Sequence, residues 1–347
     1  MMQNRQSKIH AIINPVSGVG SKRKIPRMIE AMAAAGQLSL KISFTERAGH
    51  AGELTRRAVE EGAEYILAVG GDGTVNEVAA AMIHSEAILG IIPKGSGNGL
   101  ARELHIPMDA RRAVEVIAKG NVRVIDACKA NDRIFFTTCG VGFDAAVSHK
   151  FAGEKRRGSL AYVKHTIGEY LNYRPEVYEL FIENRSIREK AFLVACANAS
   201  QYGNNAYIAP HANIQDGKMD ITILSPFTPL DIPSLAFQLF TKQIDKNSKI
   251  KVIQATQLRI HRRKQGMMHL DGEPVMSGKR IDLSVIPKAL KVFTPETVSL
   301  TQEVRQFFNQ VSDFFFISTK NFRSPSTGSS PRSQSPRDPS FPDSGGE

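Results

Sequence analysis

The run Ala68-Val69-Gly70-Gly71-Asp72-Gly73-Thr74-Val75-Asn76-Glu77 joins an apolar segment, Tyr65 to Val69, to a helix-like segment, Thr74 to Met82. Glycine leaves backbone N–H groups uncovered and permits positive φ. A loop of this kind between a strand and a helix is an anion cradle, to which the helix N-terminus adds positive dipole. Asp72 is the informative residue, because a carboxylate repels a bare phosphate. It fits if Mg2+ bridges it to phosphate, or if it accepts a proton from a substrate hydroxyl.

Working outward, the pattern repeats. Ile9 to Ile13 reads as a strand that ends in Asn14-Pro15-Val16-Ser17-Gly18-Val19-Gly20, followed by Lys22-Arg23-Lys24 and an amphipathic helix to about Ala35. This is either a turn with a solvated basic cluster or a nucleotide-contact loop; its spacing is not that of a P-loop. Leu38 to Phe44 alternates as a strand and ends at Thr45, and Gly49-His50-Ala51 opens a helix to about Gly62. A helix over 75–83, a strand over Ile88 to Ile92, the loop Pro93-Lys94-Gly95-Ser96-Gly97-Asn98-Gly99 and a helix from Leu100 follow. Strands alternating with helices predict a three-layer α/β domain with a mostly parallel sheet. The loops 14–20, 70–74 and 95–99 then converge at the C-terminal edge of that sheet.

From Val122 short strands dominate (122–130, 132–138, 177–183, 191–197, 219–224, 249–254, 257–262 and 280–286), with helices near 158–172 and 229–242. This predicts a mainly antiparallel β-sandwich domain. The expected organisation is an α/β domain over 1–128, completed by about 290–316, and a β-rich domain over 129–289, with the cleft between them. Leu300, Val304, Phe307, Phe308, Val311, Phe314 and Phe315 fall at helical spacing, for packing on a core or lying on a membrane. Residues 318–347 are rich in Ser, Pro, Gly and Arg and are expected to be disordered.

The 347-residue chain carries a net charge of +11, which favours anionic partners. No apolar run approaches the roughly 20 residues of a membrane helix. MMQNRQSK lacks the apolar stretch of a signal peptide, and Cys128, Cys139 and Cys196 suit neither a disulfide framework nor a metal knuckle, so a cytoplasmic protein is expected. Nothing matches a nucleic-acid-binding motif. The nine histidines show no zinc spacing.

Asn14-Pro-x-Ser-Gly, Gly70-Gly-Asp-Gly-Thr-x-Asn-Glu77, Gly95-Ser-Gly-Asn98, Leu100-Ala-Arg-Glu-Leu104, Gly140-Val-Gly-Phe-Asp144, Asp216-Gly217 and Asp271-Gly-Glu273 stand in this order along the chain. Over residues 8 to about 295 the chain resembles the diacylglycerol kinase catalytic-domain family, which includes bacterial lipid kinases and sphingosine and ceramide kinases. The Gly-Gly-Asp-Gly-Thr core is shared with NAD kinases and is similar to that of phosphofructokinases. The resemblance implies a phosphofructokinase/NAD-kinase-like α/β domain beside a β-sandwich, and ATP-dependent phosphorylation of a lipid hydroxyl between them. The Gly-Gly-Asp-Gly loop would stand in place of a P-loop. It assigns nucleotide contacts to Asn14, Pro15, Ser17, Gly18, Thr45, Gly70, Gly71, Asp72, Gly73, Thr74, Asn76, Glu77 and Ser96.

Glu273 reads from sequence either as the solvated rim of a hairpin turn or as a carboxylate within reach of a hydroxyl. The resemblance makes it the general base, with Asp72 working beside it through Mg2+. It also implies that Asp126 joins the charge network near the metal, against a plain strand-end carboxylate. Asp144 would touch the lipid head group, against an Asx-turn role. Asn213, Asp216 and the Lys218 carbonyl match a structural Mg2+ site, although Asp-Gly is also a common turn. The basic clusters Lys155-Arg156-Arg157 and Arg259 to Lys264 are solvated charge or face an anionic membrane. The expected partner is therefore a lipid substrate met peripherally at the inner face of the membrane, without nucleic acid; a homodimer is left open. The expected product is phosphatidic acid from diacylglycerol. Many bacterial diacylglycerol kinases have Asn-Asp in the third loop where this chain has Asn98-Gly99, which leaves a sphingoid-base or ceramide kinase as the alternative. NAD kinase and a non-catalytic nucleotide- or lipid-binding protein are the readings ranked below.

Overall fold

A computed structural model describes residues 7–17, 24–152, 173–183 and 185–296. Gly18, the cluster 155–157, the expected helices near 158–172 and 300–315, and the tail 318–347 lie outside the described residues.

The first half is the expected alternation. β1 (Lys8–Ile13), β2 (Ser39–Phe44), β3 (Tyr65–Gly70) and β4 (Ile88–Pro93) pair in parallel in the order β2-β1-β3-β4. Helices α1 (Lys24–Ala35) and α5 (Ala110–Lys119) pack together, as do α2 (His50–Glu60) and α3 (Asp72–Ala81). Cover on both faces explains why β1, β3 and β4 are buried almost end to end rather than alternating. Two boundaries differ from expectation. Helix α3 begins at Asp72, not Val75, because Gly71 occupies its N-cap. The helix from Leu100 is one short piece, α4 (Gly99–Glu103), and α5 is separate, capped by Asp109, whose carboxylate accepts from Arg112 N at 3.0 Å.

The second half holds β5 (Val122–Ala130), β6 (Arg133–Phe135), β8 (Glu176–Ile182), β9 (Arg185–Ala191), β13 (Gln257–Arg262) and β16 (Arg280–Phe293), which extend the same sheet to ten strands. A second, six-stranded antiparallel sheet runs β12 (Ile250–Ala255), β11 (Met219–Leu224), β10 (Leu193–Ala197), β7 (Thr138–Gly142), β14 (Gly266–Leu270), β15 (Glu273–Ser277). Their facing side chains, among them Cys128, Phe135, Tyr178, Val194, Ile221 and Leu283, make the sandwich core. β8 and β13 alternate buried and exposed because their outer faces meet water, whereas β10 and β11 are buried throughout. Those two lie between the sandwich core and an outer cluster under α6 (Phe143–Ala152) and α7 (Ile232–Phe240).

Three features of this half escape the sequence pattern. β9 and the β14–β15 hairpin are not marked as strands by it, because β9 is polar and exposed on one face and β14 and β15 are short. The single strand expected over 132–138 is two: β6 stays in the ten-stranded sheet and β7 begins the other, so the chain changes sheets at Phe136-Thr137.

Strand β16 joins the halves. Its end pairs in parallel with β4 (Lys291↔Ile88, Val292↔Leu89) and its beginning pairs antiparallel with β13. Its register against β5 shifts between Ile286 and Leu290, and Lys288 there has φ 51°. The bulge leaves Lys288 N off the ladder, and buried Asp126 accepts from it at 2.7 Å while its other oxygen accepts from Gly217 N at 2.7 Å. Asp126→Ala removes a charged acceptor from two amides at once. Unfolding in urea should show about 2–3 kcal/mol lost with the fold retained.

Candidate active site

The three glycine loops meet as expected. Asn14 Oδ1 accepts from Val16 N and Ser17 N at 2.9 and 3.3 Å, closing the first loop on itself, and Asn14 Nδ2 donates to Thr74 Oγ1 at 3.1 Å. Thr45 is buried at the end of β2, its N–H donating to Ile13 O at 2.9 Å. The backbones of the other two loops nearly touch: a Cβ on Gly95 would lie 2.7 Å from Gly71 Cα, and one on Gly70 would lie 2.5 Å from Thr74 Cβ. Glycine is required at both places by contact, not by φ. Asn98, at φ 53°, closes the third loop by accepting from Gly95 N at 2.9 Å and donating to Gly95 O at 2.7 Å, and Ser96 is exposed at its tip.

Asp72 ties these loops together. Its Oδ2 accepts from Asn98 N at 2.8 Å and its Oδ1 from Gly99 N at 2.6 Å, so it anchors the N-terminus of α4. Glu77 turns to α2: its two oxygens accept from Gly49 N and Ala51 N at 2.7 and 3.1 Å, capping that helix. Both acids of the Gly70–Glu77 run are thus occupied with backbone amides. Each Asp72 oxygen keeps a further lone pair, since a carboxylate has about four acceptor sites.

Asp271 brings the second half to this edge. It lies half-buried at the turn of the β14–β15 hairpin, with φ 48°. It accepts from Phe136 N, Thr137 N, Thr138 N and Thr137 Oγ1 at 2.9, 2.7, 3.0 and 2.6 Å, and from Asn76 Nδ2 of α3. Burial pushes its carboxyl up, and the donors pull it back. Two residues on, the Glu273 carboxylate lies over the Gly-Gly-Asp-Gly loop: a Cβ on Gly73 would sit 2.7 Å from Glu273 Oε1. Burial raises the Glu273 pKa, and the charges of Glu77, Asp271 and Asp72 raise it further against Arg133.

Asp144 stands at the start of α6 with 9 % of its side chain exposed. Its Oδ2 meets Tyr202 OH and His269 Nε2, each at 3.1 Å, and Oδ1 accepts from Ala145 N at 2.8 Å. Gly140 of β7 makes the room, since a Cβ there would collide with Asp144 Oδ2. Tyr202 and His269 carry no motif of their own. The only local signal is position: His269 is the penultimate residue of β14, just before the Asp271-Gly272 turn.

Asp126, Asn213, Asp216 and Lys218 gather separately. The 213–218 segment is an exposed turn in which Asn213 Oδ1 accepts from Gln215 N and Asp216 Oδ1 from Lys218 N, at 3.1 and 2.9 Å. Asp126 holds it from below through Gly217 N. Among the described residues no group of three or more His, Cys, Asp or Glu side chains is placed to hold a metal. A cation at either place would depend on carbonyls, water or phosphate oxygens for most of its shell, which suits Mg2+ better than a transition metal.

Residues 8–130 match the diacylglycerol kinase catalytic domain, and residues 137–294 match the YegS C-terminal NAD kinase beta sandwich-like domain. Relatives include the probable lipid kinase YegS-like of Pectobacterium atrosepticum, 31 % identical over 76 % of this chain and 89 % of that one. The probable lipid kinase YegS of Salmonella arizonae is 28 % identical over 74 % and 87 %. Among solved structures, a diacylglycerol kinase from Bacillus anthracis aligns with a TM-score of 0.66 at 19 % identity, over 85 % of this chain and 99 % of that one. An NAD kinase from Archaeoglobus fulgidus in complex with ATP aligns with a TM-score of 0.50 at 13 % identity, over 88 % and 98 %. Both share the fold.

Two substitutions test the assembly. Asp271→Asn replaces one acceptor oxygen by an N–H2 that faces donors, and should cost about 2–4 kcal/mol by thermal or urea unfolding. Gly95→Ala forces the second and third loops apart while leaving the cores untouched. It should weaken nucleotide binding, read by calorimetry, about tenfold or more with little change in Tm.

Proposed function

The chain belongs to the diacylglycerol kinase catalytic-domain family, and from that premise we propose that this kinase transfers the γ-phosphoryl group of ATP to the hydroxyl of a long-chain lipid at the membrane surface. Diacylglycerol, giving phosphatidic acid, is the favoured acceptor. The observation that carries the reading is the Glu273 carboxylate lying against Gly73, over the loop at the N-terminus of α3.

The residues divide the work as follows. The amides of the 70–74 loop and the first turn of α3 cradle the phosphates, with Asn14 and Thr74 shaping the cradle and Ser17 and Ser96 at its rim. The contact between Gly71 and Gly95 lets the phosphate chain approach backbone directly. Mg2+, held through the free lone pairs of Asp72 and through water, would neutralise charge on the transferring group. Glu273 takes the proton from the acceptor hydroxyl as its oxygen bonds to the γ-phosphorus and the bond to the β–γ bridging oxygen breaks, releasing ADP. A raised pKa suits this, since the proton returns to a stronger base than an ordinary glutamate. Asp144, fixed by His269 and Tyr202, stands on the acceptor side. A second Mg2+ on Asp216, Asn213 and the Lys218 carbonyl would stiffen the turn above Asp126, with no part in the transfer. The Asn98-Gly99 pair supports a sphingoid base or ceramide as the alternative acceptor. The enzyme acts at the cytoplasmic face of the membrane as a peripheral protein, and no helix among the described residues is long and apolar enough to cross it.

Labelled ATP offered with diacylglycerol, sphinganine, ceramide and NAD decides the acceptor; label found only in NAD overturns the lipid assignment. Glu273→Gln should lower kcat by about 10²–10⁴. The same change should leave Tm unchanged or higher. Its pKa is raised in the fold, so near neutral pH the ionised form is the one folding disfavours, and neutral Gln removes that repulsion. The acid limb of kcat/KM should lie above the ordinary glutamate value of about 4.3, activity rising with pH as Glu273 ionises. Glu77→Gln, which removes one repelling charge but keeps an acceptor for Gly49 N, should move that limb to lower pH.

A further inference from the structure

We propose that the outer face of α7, with the turn before it, is the surface by which this protein seats on an anionic lipid bilayer. The feature is a helix apolar on two sides. Its inner side, Leu235 and Leu239, packs with Phe143, Phe192 and Phe227. Its outer side carries Pro233, Phe237 and Phe240, at spacings of four and three that bring them to one face, and Leu230 stands exposed in the turn before it. Leu230 is 91 % exposed, Phe237 59 % and Phe240 41 %. A helix that is apolar all round is ordinarily buried on both sides. Here water meets one of them.

Charge selects the occupant. Residues 228–251 contain Lys242, Lys246, Lys249 and Lys251 against Asp231 and Asp245, with Lys251 paired to Glu189 at 3.2 Å. Both acids are engaged: Asp231 accepts from Thr228 N at 2.8 Å, and Asp245 faces His211 at 3.3 Å. The lysines follow the apolar stripe at its C-terminal end, with Lys242 over the Tyr207 ring at 4.6 Å and Lys246 exposed. An apolar face bordered by lysine is the composition of a helix that lies in a bilayer interface beside anionic head groups.

Area argues against a second copy of the chain. At about 200 Å2 per large apolar side chain, the exposed parts of Leu230, Phe237 and Phe240 offer well under the roughly 800 Å2 per partner of a stable protein interface. The position also serves the chemistry. The cluster under α7 contains Phe143, the neighbour of Asp144, and Tyr202, which donates to Asp144. The apolar face is therefore one packed layer from the acceptor side of the site. The proposal rests on the lipid-kinase reading for the kind of surface, and on α7 for its place.

The test is co-sedimentation of the full chain with vesicles of phosphatidylcholine alone and of phosphatidylcholine with a quarter phosphatidylglycerol. The triple variant Leu230→Ser, Phe237→Ser, Phe240→Ser should retain its Tm and its turnover on a monomeric short-chain acceptor. It should lose about tenfold or more of the partition onto the mixed vesicles. Lys246→Gln with Lys249→Gln should lower partition onto the mixed vesicles toward that onto phosphatidylcholine alone. Unchanged partition of the triple variant overturns the proposal, as does absence of vesicle binding by the wild type. So does a triple variant that changes the mass in sedimentation equilibrium from dimer to monomer without vesicles, which would give the face to a second copy. A protein that binds vesicles through α7 but phosphorylates no lipid keeps the surface and removes the kinase reading instead.

Discussion

The carboxylate of Asp271 is the interaction on which the site depends. The chain leaves one sheet after β6 and enters the other at β7, and the amides of Phe136, Thr137 and Thr138 have no shared ladder across that step. Buried amides must be paired, and Asp271 pairs all three. Asn198, itself fully buried, completes the crossing by donating to Phe136 O at 2.8 Å and Asp126 O at 3.1 Å. The remaining bond of Asp271, from Asn76, reaches α3. One carboxylate thus holds the sheet crossing, the β14–β15 hairpin and α3 in register, and Glu273 is placed over Gly73 as a consequence.

The cost is electrostatic. Asp72, Glu77, Asp271 and Glu273 crowd the N-terminal end of one helix in a chain whose net charge is strongly positive. Three of the four are satisfied by backbone amides, which favour the ionised form. Glu273 is the exception: no backbone amide offsets its partial desolvation and the repulsion from its neighbours, so its carboxyl, like that of Asp271, is pushed up. The proposed base thus stands where the folded structure is least at ease.

The two halves handle burial differently. In the α/β half β1, β3 and β4 are covered on both faces, so their sequence is nearly continuously apolar. In the sandwich half the outer strands alternate, and only β10 and β11 are buried throughout because a further apolar layer lies over them. The helix in that layer, α7, is covered on its inner side alone, which is why its composition looks misplaced on a protein surface.

Much of this is written in local pattern. The apolar strands ending in glycine loops and the change to short strands after Val122 follow from periodicity and from the conformations glycine allows, which depend only on near neighbours; the candidate residues of the three loops come from the family resemblance. The roles of the acids do not. Asp72 as anchor of α4, Glu77 as cap of α2, Asp126 under a bulge and Asp144 against His269 are each defined by partners distant in the chain; Asn76 and Asp271 are 195 residues apart. A sequence shows which side chains can accept a proton or a hydrogen bond. Which of them spend that capacity on backbone amides, and which one is left over for a substrate, is settled only when the sheets close and decide what is buried.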